Sequence, residues 1–134
     1  MSLEIQQRGK EGVTLLDVKG RLAAGEPATL LRDTFSALAA SGIRKMILNL
    51  RDVVYIDSTG LGALVVCFTT MRKGGGSLKL LNLSRRSIEL LVLTKLATVF
   101  EIFNEEQDAV NSFFPDRAIQ RFDVLSFVQE KKKD

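Results

Sequence analysis

Lys45-Met46-Ile47-Leu48-Asn49-Leu50-Arg51-Asp52-Val53-Val54-Tyr55-Ile56-Asp57-Ser58-Thr59-Gly60-Leu61-Gly62 contains the change of hydrophobic period that decides the fold. Met46, Ile47, Leu48 and Leu50 form the apolar run of a strand covered on both faces, which places it at the centre of a sheet. Beyond Val53 to Ile56 the spacing changes. Leu61, Leu64, Val65, Phe68 and Met71 recur at helical intervals up to about Arg72, so the chain turns from strand to helix at Asp57-Ser58.

Towards the N-terminus, Leu3, Ile5 and Gln7 alternate with polar neighbours. After a turn at Gly9 to Gly12, Val13 to Val18 reads as a second strand, making a hairpin. Gly20 to Gly25 reads as a loop, and Pro27 suits the first turn of a helix, where a missing N–H costs nothing. In that helix Leu30, Leu31, Thr34, Phe35, Leu38 and Ala39 share one stripe, and Gly42 is placed as its stop. Towards the C-terminus, Gly74-Gly75-Gly76 ends the motif's helix and Leu78 to Leu83 is a strand. Ser84 caps a helix to about Leu93, Val99 to Phe103 is a short strand, and Glu105 to Phe113 is a further helix.

A hairpin followed by strands alternating with helices predicts an α/β fold. Its mixed sheet pairs an N-terminal antiparallel hairpin with parallel strands, under about four helices. The domain is expected over residues 1–114, with 115–134 as an extension beginning at Pro115. There Ala118, Ile119, Phe122, Leu125 and Val128 suggest a helix, followed by a disordered basic end at Lys131 to Lys133. This extension is open to several readings: a partner-docking helix, a homodimer contact, disordered residues or, as we favour, a helix packed on the domain.

Composition removes several function classes. A chain of 134 residues, 46% hydrophobic and 26% charged, can bury roughly two thirds of its surface in one core. The net charge of +3 equals the contribution of Lys131 to Lys133. The body therefore lacks the basic face that nucleic acid demands, and direct nucleic-acid binding is not expected. With no His and one cysteine, Cys67, the chain cannot form an intramolecular disulfide or assemble the usual zinc ligands, so no metal and no cofactor is expected. Cys67 reads as a small core residue. No apolar run reaches the ~20 residues of a membrane span, and the first residues lack a signal-peptide pattern, so cytoplasmic residence without membrane insertion is the expectation.

Asp57-Ser58-Thr59-Gly60-Leu61-Gly62 is the candidate site. Ser58 reads as the helix N-cap, a purely structural job worth ~1 kcal/mol. The two glycines argue for more, since each costs roughly 1 kcal/mol relative to Ala in a regular helix. They either leave the backbone and Ser58 open to another protein or let the helix start approach the sheet closely. A phosphate on Ser58 would bring about −1.5 to −2 charges to a helix N-terminus that tolerates anions. Beside Asp57 it would make the surface doubly anionic, switching binding without unfolding the domain.

This segment, in its strand-to-helix setting, resembles the phosphorylation motif of the STAS family, the domain of sulphate transporters and anti-sigma factor antagonists. The resemblance runs from about Leu3 to Phe113. It implies a bacterial anti-sigma factor antagonist that regulates transcription indirectly. Such a protein binds an anti-sigma factor with serine kinase activity while unphosphorylated, is inactivated when that kinase modifies Ser58, and is restored by a phosphatase. Thr59 stands where many relatives carry a second serine, which makes it the second candidate acceptor. The expected partner surface is Asp57, Ser58, Thr59, Gly60, Leu61 and Gly62.

Two other readings compete. The chain could be an unphosphorylated STAS interaction subunit of a lipid-transport ABC complex or of a stress-sensing assembly, with Ser58 only a cap. An enzyme is disfavoured: Gly74-Gly75-Gly76-Ser77 lacks the phosphate-loop spacing and precedes a strand, and no nucleophile has a base. No catalytic residue is assigned. Arg85 and Arg86 sit where a helix dipole disfavours cations, which points weakly to an acidic partner.

Overall fold

The structure is a computed structural model and describes residues 3–124 together with 126 and 127. β1 (Glu4–Lys10) and β2 (Val13–Leu22) form the expected hairpin. Its turn is Glu11-Gly12, both at positive φ, 53° and 83°. Paired positive φ values match the right-handed twist of the flanking strands, which explains the glycine.

α1 (Glu26–Ala40) carries Pro27 in its first turn and is followed by its C-cap Ser41 and by Gly42. There the Gly42 N–H donates to Ala39 and the Ile43 N–H to Leu38, at a φ of 98° for Gly42. That double bond satisfies carbonyls the helix would otherwise leave open and needs a residue free to adopt positive φ. β3 (Lys45–Ile56), α2 (Ser58–Lys73), β4 (Ser77–Leu81), α3 (Arg85–Leu93), β5 (Ile102–Phe103) and α4 (Glu106–Asn111) follow.

The sheet order is β1-β2-β3-β4-β5, with β1 antiparallel to β2 and the remaining pairs parallel. β3 is central, as its sequence requires. Successive residues of β3 serve opposite faces. Met46, Leu48 and Leu50 meet Leu31 and Phe35 of α1, Leu64 and Cys67 of α2, and Ile88 and Leu91 of α3. Ile47 joins Val13, Leu15, Leu81 and Phe103 under Ala109 and Val110 of α4. Three helices thus cover one face and α4 covers part of the other. Two register shifts in the β2–β3 pairing, at Asp17/Lys19 and Gly20/Arg21, bend the end of β2. There Leu22 O accepts the Asp57 N–H at 3.3 Å, joining the end of β2 to the start of α2.

The C-terminal third departs from expectation in its boundaries. The last strand is Ile102–Phe103, not Val99 to Phe103. The chain leaves α3 through turns in which Leu96 N–H bonds Leu91 O and Lys95 takes a φ of 62°. α4 starts at Glu106 and stops at Asn111, after which Phe113 and Phe114 bond back three residues in tightened turns. Residues 118–123 are not the expected helix. The Phe122 N–H donates to Ile102 O at 3.0 Å, so this stretch runs beside β5, with the Phe122 ring packed on the core and against Phe127. Leu125, Val128 and Lys131 to Lys133 lie outside the described residues.

Candidate functional site

The junction of β3 and α2 puts the motif at the C-terminal end of the central strand, and its residues divide into buried and exposed groups. Gly60 is buried and Leu61 is 5% exposed, whereas Ser58, Thr59 and Gly62 are exposed. The exposed face of the motif is therefore Ser58, Thr59 and Gly62 beside the half-buried Asp57, with Gly60 and Leu61 beneath them.

The helix cap is Asp57, not Ser58. Asp57 has extended dihedrals, φ −96° and ψ −178°, and Ser58 is the first helical residue. The Asp57 carboxylate accepts the Gly60 N–H at 2.7 Å on one oxygen and the Ala24 N–H at 3.1 Å on the other. A carboxylate can take a helix donor and a loop donor at once, one on each oxygen. These N–H groups, Gly60 first and Ala24 second, hold the Asp57 carboxyl below its ordinary range. Ser58 Oγ is thereby left with no hydrogen bond to another described residue, exposed at the helix start.

The two glycines have different reasons. A Cβ on Gly60 would stand 2.0 Å from Leu22 O and 2.8 Å from its carbonyl carbon, so Gly60 is required by close packing of helix on strand. A Cβ on Gly62 would meet nothing within 4 Å. Gly62 therefore answers to no packing demand inside the domain. The third glycine group is structural: Gly76 N–H bonds Met71 O at 2.8 Å, and a Cβ there would meet Arg44 O at 2.5 Å.

Sequence reasoning missed the groove beside Ser58. It holds about 420 Å³ and is lined by residues that include Val54, Tyr55, Ser58, Arg86 and Leu93. Val54 is 70% and Leu93 81% exposed, an unusual degree for branched apolar side chains flanking a groove. Arg21 lies over the Tyr55 ring at 4.4 Å and Arg86 lies 6.0 Å from the same ring. Arg85 turns elsewhere, 5.4 Å from the Phe127 ring. The misplaced cations at the start of α3 were the signal, but their separation into a groove residue and an outer one depends on how α3 packs.

Cys67 is fully buried, and burial pushes its thiol up to about 12. It is a core residue. Among the described residues no group of three or more Cys, Asp or Glu could hold a metal ion.

Residues 4–109 match the STAS domain, and the chain belongs to the STAS family. It is similar to the anti-sigma-B factor antagonist of Bacillus subtilis (strain 168), 36% identical over 110 residues that make up 82% of this chain and 99% of that protein. It is also similar to the anti-sigma-B factor antagonist of Listeria monocytogenes, 30% identical over 106 residues, 79% of this chain and 91% of that one. Among solved structures, a Thermotoga maritima protein described as a candidate anti-sigma factor antagonist superposes with a TM-score of 0.75 at 26% identity, covering 81% of this chain and 92% of its own. The anti-sigma factor antagonist SpoIIAA in its unphosphorylated form gives a TM-score of 0.66 at 16% identity, covering 84% and 99%, a likeness of fold.

Proposed function

We propose that this protein is an anti-sigma factor antagonist that binds its anti-sigma factor through the start of α2 and is switched off by phosphorylation of Ser58. The observation that carries the switch is the division of labour at the cap. Asp57 satisfies the helix start, leaving the Ser58 hydroxyl exposed and without a structural bond. The competing view of a constitutive transporter subunit gave Ser58 the cap as its whole role, and that role belongs to Asp57.

The anti-sigma factor is the kinase. Ser58 Oγ attacks the γ-phosphorus of its ATP, an O–P bond forms as the bond to ADP breaks, and the hydroxyl proton passes to a base of the kinase. The phosphate projects from the first turn of α2, where the helix dipole tolerates it, so the fold persists. A partner docked over Asp57 and Ser58 then meets two adjacent anionic groups and loses affinity. A phosphatase reverses the step, and the cycle runs in the cytoplasm. Among the described residues no helix is long and apolar enough to cross a membrane. Thr59, also exposed, is the second acceptor.

The test is a pull-down from host lysate with wild type and Ser58→Asp, both shown to be folded by circular dichroism, together with mass spectrometry of the native protein. Capture of an anti-sigma factor by wild type alone, with phosphate on Ser58, supports the reading. Equal capture by both proteins contradicts it.

A further inference from the structure

Arg86 occupies a costly position. It sits in the first turn of α3, where the dipole disfavours cations, and no acidic residue lies in that turn to offset it. Among the described residues it has no salt bridge to a carboxylate, and it lies 6.0 Å from the Tyr55 ring. Arg86 lines the same groove as Ser58, between the hydroxyl-bearing Ser84 and Ser87. Among the described residues lining that groove it is the only cation, and the carboxylates are Asp57 and Glu89. Both Asp57 oxygens already accept backbone N–H groups. A guanidinium and the exposed hydroxyl of Ser58 thus line one open groove.

We propose that Arg86 is the counter-ion of the Ser58 phosphate. The guanidinium donates N–H groups to the phosphate oxygens across the groove, a pairing for which its planar fork is suited. The phosphate is thereby held against the groove wall formed by α3, and part of its repulsion from Asp57 is offset. Phosphorylation then acts twice on a partner: it adds charge over α2 and withdraws Arg86 from any acidic group the partner presents. This inference rests on the phosphoregulated reading of Ser58.

The experiment uses protein carrying phosphoserine incorporated at position 58 during synthesis, as wild type, Arg86→Gln and Arg85→Gln, followed by phosphorus-31 NMR titration between pH 4 and 9. Free phosphoserine has its second pKa near ~6. Arg86→Gln is expected to raise that pKa by roughly 0.5 unit relative to wild type, the size of an exposed opposite-charge contact, and Arg85→Gln by less than half as much. Equal shifts in the two variants, or none with Arg86→Gln, overturn the contact. Both arginines are exposed at a helix start of unfavourable sign, so neither variant should unfold, which circular dichroism checks. The phosphate is installed without a kinase, so the two failures are separable. Native protein lacking phosphate at Ser58 would sink the phosphoregulated reading, whereas an unmoved titration sinks only the role of Arg86.

Discussion

Gly60→Ala should destabilise the domain while Gly62→Ala, two residues along the same helix, should stabilise it. At Gly60 the new Cβ would lie 2.0 Å from Leu22 O, 2.8 Å from Leu22 C and 3.0 Å from its Cγ. Ordinary carbon–oxygen contact needs more than an ångström of further separation, and a backbone carbonyl cannot swing aside like a side-chain end. Relief has to lift the start of α2 from β2, loosening the Asp57 N–H bond to Leu22 O and the Asp57 bridge to Ala24. Overpacking of this kind costs about 1–3 kcal/mol, and each weakened hydrogen bond adds about 1 kcal/mol. The better helix propensity of Ala returns roughly 1 kcal/mol, leaving a net loss of about 2–4 kcal/mol. At Gly62 only the propensity gain applies, at most ~1 kcal/mol, because nothing lies within 4 Å of its Cβ. A domain of this length shifts its Tm by roughly 3–4 °C per kcal/mol, so Gly60→Ala should melt roughly 6–16 °C lower and Gly62→Ala a few degrees higher. Urea and thermal denaturation followed by far-UV circular dichroism measure both. Gly60→Ala as stable as wild type would refute the close-approach argument.

Three further outcomes follow from the same geometry. Ser84→Ala removes the hydroxyl that accepts the Ser87 N–H at 3.1 Å and should cost about 1 kcal/mol in urea denaturation. Cys67, fully buried with its thiol pushed up to about 12, should resist a thiol reagent at pH 8 in the native protein and react promptly in denaturant; fast native labelling would contradict its placement. Asp57, Asp17 and Glu106 have carboxyls held below their ordinary range, by the Gly60 N–H for Asp57 and by Arg8 for the other two. Groups depressed in the folded state stabilise it above their unfolded values of about 3.9 and 4.3, and that contribution fades as pH falls through the folded values. With no His to titrate, stability in urea should be nearly flat from about pH 7 to 5 and should fall below about pH 4. Arg8→Ala should soften that acid slope.

The elements were legible where one local pattern decides them. Met46, Ile47 and Leu48 announced a strand buried on both faces, Gly9 to Gly12 a hairpin turn that the structure narrows to Glu11-Gly12, and Ser84 the start of α3. The cap of α2 was misread by one residue, because Asp and Ser are both good caps. The choice is made by the Ala24 N–H, 33 residues away in sequence, which needs an acceptor with a second oxygen. Gly60 and Gly62 looked alike in the sequence and differ only because Leu22 O lies under one of them. The segment after Pro115 carried a helical spacing, yet over residues 118–123 a backbone bond from Phe122 to Ile102 prevails, an interaction no window of local sequence contains. The groove escaped notice for the same reason, since Tyr55 and Arg86 meet only through the placement of α3 beside the end of β3.

The central claim is that one phosphate on Ser58 decides whether the partner binds. The most direct measurement is isothermal titration calorimetry of the host's purified anti-sigma factor against unphosphorylated protein and against protein stoichiometrically phosphorylated at Ser58. A hundredfold or greater weakening on phosphorylation, with unchanged circular dichroism, is the predicted result. An affinity the same within a factor of about two would contradict the account and leave the start of α2 as an unswitched contact.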